Sequence, residues 1–126
     1  MYASGTFEVK LKPQGDEDAS VVRMTIDKRF HGDLVGTSKG QMLAVQSSVK
    51  GSAGYVAMEV VTGTLGSRTG SFALQHTGTM NRGVQELSVT VVPDSGTGEL
   101  AGLSGKLEIR IVEKQHFYEF EYTITQ

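Results

Sequence analysis

Residues 54–80, GYVAMEVVTGTLGSRTGSFALQHTGTM, decide the fold of this chain. Apolar and polar side chains alternate on both sides of a polar, glycine-containing centre, the period-two pattern of two strands joined by a tight turn. Taking Gly66 to Thr69 as the turn, with Leu65 paired to Gly70, the antiparallel ladder sets Gly63 opposite Phe72, Val61 opposite Leu74 and Glu59 opposite His76. All of these then share one face. Because Val61, Phe72 and Leu74 are apolar, that face is the interior, and it carries a carboxylate and an imidazole into an oily space. The other face of the first strand presents Val56, Met58 and Val60, a row too apolar for a solvated wall, which leads to the expectation of a homo-oligomer interface.

Working outward, the same alternation recurs along the whole sequence. Before the hairpin, Thr6 to Leu11 places Phe7, Val9 and Leu11 on one face. Val21 to Phe30 places Met24, Ile26 and Phe30 there. Leu34 to Ser48 reads as a long strand interrupted by Gly36 and Gly40, glycines that suggest bends and leave its parity open. His31 to Asp33, Val49 to Ala53 and Asn81 to Gly83 are turns. After the hairpin, Gln85 to Val92 turns Leu87, Val89 and Val91 inward, and Pro93 ends it, having no donor for a ladder. DSGTGELAGLSG, residues 94–105, turns tightly while Leu100 and Leu103 tuck into the core. Leu107, Ile109 and Ile111 then alternate with Glu108 and Arg110, and Tyr118, Phe120, Tyr122 and Ile124 complete the last strand.

No stretch shows a helical period, and eight strands joined in order by short turns predict a single all-β domain over 1–126, an antiparallel up-and-down barrel. Closure of the last strand onto the first removes the exposed edges of an open sheet. A two-sheet sandwich is the alternative.

Composition narrows the function. Twelve basic against fourteen acidic residues give a net charge of −2 without any basic cluster, which argues against nucleic acid and anionic membrane as partners. Cysteine is absent, so no disulfide, thiolate nucleophile or cysteine zinc site is available. Three scattered histidines do not make a zinc site, and His31 and His116 read as a turn residue and an exposed strand start. The acidic loop at 12–20, with Asp16 to Asp18, lacks the ordered oxygen spacing of a calcium loop. No metal and no cofactor is expected. The N-terminus moves straight into a strand pattern without the basic and apolar regions of a signal peptide, which leads to the expectation of a cytoplasmic protein.

Four strings, FHGDLVGTSKGQML (30–43), GYVAMEVVTGTL (54–65), GSFALQHTGTM (70–80) and LSVTVVPDSGTGELAGLSG (87–105), resemble a bacterial family of small proteins of unknown function that share the allene oxide cyclase-like barrel. The resemblance implies a single eight-stranded barrel, often associated into oligomers. It carries no reaction with it, since no catalytic group of the plant cyclases maps onto a position of this sequence, and fold does not fix function.

The candidate site is therefore read from the residues. A buried Glu59 needs a partner, and His76 is the one the register offers. A glutamate orienting a histidine is the arrangement of a general base; a structural pair inside a filled barrel is the plainer alternative. Phe72, Tyr118, Phe120 and Tyr122 are expected to line the same lumen, with two hydroxyls as polar handles. Three functions follow: binding of a small apolar or amphipathic ligand, isomerase or cyclase chemistry at His76 and Glu59, or a packed barrel that works through its outer strands.

Overall fold

A computed structural model describes residues 1–15 and 19–125 and shows a closed antiparallel barrel. The strands are β1 (Tyr2–Gln14), β2 (Val22–Gly32), β3 (Leu34–Gln46), β4 (Ala53–Leu65), β5 (Arg68–Asn81), β6 (Val84–Val91), the two-residue β7 (Thr97–Gly98), β8 (Leu103–Val112) and β9 (Gln115–Ile124). The eight long strands form an up-and-down barrel in chain order, closed by β1 against β9. β7 adds a short rung, pairing with Gly70 and Ser71 of β5 beyond the stretch that β6 covers. The seam between β6 and β8 is the thinnest, with the single pair Thr90 and Lys106. No described helix is long and apolar enough to cross a membrane, a statement that does not bear on strands.

The inward faces follow the period-two reading. Phe7, Ile26, Phe30, Val61, Phe72, Leu74, Val89, Val91, Leu107, Tyr118 and Phe120 are buried, and Leu100 and Leu103 are tucked under their loop. The open parity of β3 resolves with Leu34 and Ser38 inward and Val35, Leu43 and Val45 outward. Neither glycine of that strand breaks its ladder, which runs without a bulge from Leu34 to Gln46 against β4. Gly40 instead allows close approach: a Cβ there would lie 2.1 Å from the Met58 carbonyl oxygen and 2.7 Å from the Glu59 Cβ.

The central hairpin departs from the sequence reading in its register. Its turn is Gly66-Ser67, closed by Leu65 opposite Arg68, so Gly63 meets Gly70, Val61 meets Phe72, Glu59 meets Leu74, and Ala57 meets His76. Gly66 has φ +63° and Ser67 no positive φ, the pattern of a two-residue II′ hairpin, whose twist matches that of the strands it joins. The expected four-residue turn loses to this tighter one. The slip is two residues, so every side chain keeps its face.

The two ends of the barrel differ. At one end, around the turns at Gly32-Asp33 and Gly66-Ser67, aromatic and leucine side chains fill the lumen. Phe72 and Phe120 stack at 5.9 Å, and Phe30 meets Tyr118 edge-on at 5.7 Å. At the other end, near the turns at Arg82-Gly83 and Glu113-Lys114, the inward side chains surround open space. Leu11, Leu87 and Ile111, although inward by parity, are 48, 43 and 61% exposed there.

Candidate functional site

Four polar side chains are buried among the described residues: Lys28, Ser38, Glu59 and His76. They come from adjacent strands and form one cluster at the level where the packed half of the lumen gives way to the open half. β2 brings Lys28 in by the parity of Ile26 and Phe30, and Ser38 is its direct partner on β3. β4 brings Glu59 and β5 brings His76, offset diagonally by the register of their hairpin.

Glu59 is the hub. Its Oε2 lies 2.9 Å from Lys28 Nζ and 3.4 Å from His76 Nε2, and the Glu59 side chain has no exposed surface. Both are ionic contacts without good hydrogen-bond alignment, and Oε1 of Glu59 and Oγ of Ser38 have no hydrogen-bond partner among the described residues. Burial pushes the Glu59 carboxyl up, but His76 and Lys28 together outweigh it and hold the group below its ordinary value. Glu59 is therefore an anion facing one ammonium and one imidazole. Lys28 Nζ also stands over the rings of Phe7, at 5.0 Å, and Phe30, at 5.9 Å, a placement in which aromatic faces partly replace the lost water.

Above this cluster is a cavity of about 570 Å³, walled by side chains such as Phe7, Val9, Ile26, Ala57 and Ile109, with Lys28 and His76 in its lining. Glu59 is not in the lining: the lysine and histidine stand between it and the space. Arg110 and His116 contribute to the wall, and no aspartate or glutamate among the described residues does. Tyr55 is shared with a smaller pocket of about 200 Å³ that also has Glu86 in its lining. Its ring occupies the space over Gly78, where a Cβ would be 2.3 Å from Cε1. Burial, with the Glu59 charge second, raises the Tyr55 hydroxyl above its ordinary value.

The structure thus brings Glu59 and His76 together, through a diagonal instead of a direct pair. It places the expected aromatic wall elsewhere. Phe72 and Phe120 are stacked in the filled half, outside the cavity. The Tyr118 hydroxyl accepts from the Leu34 backbone N–H at 2.9 Å and donates to the His31 carbonyl at 2.9 Å, fastening the β2–β3 turn. Burial, the largest influence, raises its pKa. Tyr122 packs at 5.2 Å from Phe120, and its hydroxyl is near Gly66 at the closed end. Two residues of the cluster, Lys28 and Ser38, were not among the sequence candidates. The available signal for Lys28 was its parity, two residues from Ile26 and two from Phe30. His31 pairs with Glu8 at 2.7 Å on the surface, and His116 packs its ring on Phe7 at 5.0 Å at the cavity wall. Asp16 to Asp18 lie outside the described residues, and no group of three potential metal ligands occurs among the described ones. Val56, Met58 and Val60 face outward and are about half exposed.

Fold and site together define a small closed β-barrel, half packed and half hollow, with a buried Lys-Glu-His cluster at the boundary. The chain belongs to the DUF3224 family, described as a protein of unknown function, whose model matches residues 3–122. It is similar to a crystal structure of a protein of unknown function from the DUF3224 family of Shewanella oneidensis MR-1, with 46% sequence identity, a TM-score of 0.95 and coverage of 100% of this chain and 98% of that one. No curated protein matches it.

Proposed function

We propose that this barrel binds a small amphipathic molecule through its open end, with the apolar body against Phe7, Val9, Ile26, Ala57 and Ile109 and the polar head on Lys28 and His76. The observation that carries this reading is the cavity itself. Its volume of about 570 Å³ lies within the roughly 300–1,000 Å³ of small-molecule sites, and its apolar wall converges on two polar groups at the floor. A barrel needing only stability gains nothing from an ion cluster here, since well-packed apolar side chains in its place are often as stable or more so. The resemblance to allene oxide cyclase-like barrels enters as a likeness of architecture, a lumen able to hold one ligand, and no cyclase reaction is transferred with it.

The test is native mass spectrometry of the protein from its source, compared with an Ala57→Leu variant that adds bulk to the cavity wall. A retained small molecule in the wild type that is lost from the folded variant supports the reading. A wild type that retains nothing and shows no shift of cavity-lining resonances against a panel of apolar alcohols, ketones and acids rejects it.

A further inference from the structure

We propose that the cavity floor is a proton-transfer site for ketones, in which His76 removes a proton from the carbon next to a carbonyl held by Lys28. This rests on the ligand-binding reading and adds the substrate class and the chemistry. Three features of the site lead to it.

The first is the anion beside the imidazole. His76 Nε2 faces the carboxylate of Glu59 at 3.4 Å, and an ionised carboxylate can only accept. Although the contact lacks hydrogen-bond alignment, the adjacent anion favours the proton of a neutral His76 on Nε2, which leaves Nδ1, with its lone pair, as the ring nitrogen turned from the carboxylate. A glutamate behind such an imidazole stabilises the imidazolium that forms when Nδ1 takes a proton. The second is the neighbour. Lys28 Nζ touches the same carboxylate oxygen, so the ammonium stands beside the imidazole on the floor. One group offers a proton to an oxygen and the other a lone pair to a C–H. The third is charge. Lys28 and Glu59 cancel, which suits a neutral carbonyl head better than a carboxylate. No acid among the described residues lines the cavity, and the Lys28 ammonium on its floor favours negative charge that develops beside it.

The step balances without a co-reactant. The α C–H bond breaks and its proton passes to Nδ1 of His76. The C–H electron pair becomes the carbon-carbon double bond, and the carbonyl π pair moves to oxygen, where the Lys28 ammonium stabilises the enolate. The imidazolium then trades its proton with solvent through the open end and delivers the solvent-derived one to the same carbon, giving exchange, or it passes its proton to a conjugated carbon, giving isomerisation.

The probe is 2-tetralone, an apolar ketone with acidic α positions, followed in D₂O by loss of its α-proton NMR signal while the protein's cavity methyl groups report occupancy. We expect exchange faster than that caused by an equal concentration of imidazole by about 10²-fold or more, the usual range of a positioned general base. His76→Gln should return exchange to the imidazole-free background, and Lys28→Met should lower it at least tenfold. In Glu59→Gln, exchange at saturating ketone should fall while the half-saturating concentration stays, a split that a purely structural role would not produce. Each variant is compared only after its circular dichroism matches the wild type, and the wild-type rate decides the matter if a variant does not fold. Perturbed cavity methyl groups with exchange no faster than imidazole overturn the proton-transfer proposal and leave the binding reading standing. Neither perturbation nor exchange overturns both.

Discussion

Removing the ammonium from the cluster should be among the costliest single changes in this protein. In Lys28→Met the side-chain length is kept, but Glu59, which has no exposed surface, loses the charge 2.9 Å from its Oε2. At an effective dielectric of about 20, opposite unit charges at that distance attract by about 6 kcal/mol. His76 remains as a second partner at 3.4 Å and the site can relax, so the expected loss is about 3–5 kcal/mol, the usual cost of breaking a buried pair. For a domain of 126 residues this corresponds to a fall in Tm of roughly 4 °C per kcal/mol, about 12–20 °C in all. Urea unfolding followed by far-UV circular dichroism measures it, together with the double variant Lys28→Met/Glu59→Met, in which neither charge is left alone. The double variant should be more stable than Lys28→Met. A single variant within about 1 kcal/mol of the wild type, or a double variant whose loss equals the sum of the two single losses, would refute the view of Glu59 as a buried anion that depends on Lys28.

Three further outcomes are expected. Glu59 has its carboxyl held below the ordinary 4.5, so its stabilising contribution is complete above that value and is lost as pH falls through the lower folded one. Acid titration of stability should therefore show a drop below pH 4.5 that is smaller in Glu59→Gln; equal drops would exclude Glu59 as a contributor. Tyr118→Phe strands the buried Leu34 N–H and should cost about 1–3 kcal/mol, with cavity-lining resonances left in place; a change confined to the cavity would contradict the turn-fastening role. If the outward row Val56, Met58 and Val60, continued by Leu43 across from Val56, joins copies of the chain, Met58→Lys should shift native mass spectra from oligomer to monomer, and a wild type already monomeric would dismiss that interface.

What the sequence reveals about the site depends on which property of a strand it tests. Side-chain face has a period of two and survives a slip of two residues, so Glu59 and His76 could be assigned to the interior although their register was wrong. Register depends on one turn, and GSRT offers a two-residue and a four-residue solution that differ in strand twist, a property that alternation does not encode. Lys28 was hidden by its residue type. Lysine is almost never fully buried unless paired, so between Ile26 and Phe30 it reads as a strand residue on its way to solvent until Glu59 is seen beside it, two strands away. The aromatic residues failed for a different reason. Tyr118 and Phe120 point inward as their period requires, but period does not say at which height of the barrel the lumen is filled. That depends on the shear between strands and on the 92–102 loop, which lays Leu100 into one end only.

Height along the barrel is also what separates stability from function in this molecule. The filled end has the stacked Phe72 and Phe120, the Tyr118 hydroxyl bound to a turn, and buried leucines from four segments, Leu34, Leu65, Leu100 and Leu103. Packing of this kind fixes the strands at that end. Lys28, Glu59 and His76 occur where that packing stops, with Lys28 and His76 facing the cavity and Glu59 behind them. A charge cluster in the filled end would be sealed from any ligand, and one at the rim would be solvated and weak. At the boundary it is dry enough for its charges to matter and near enough to the opening to be reached.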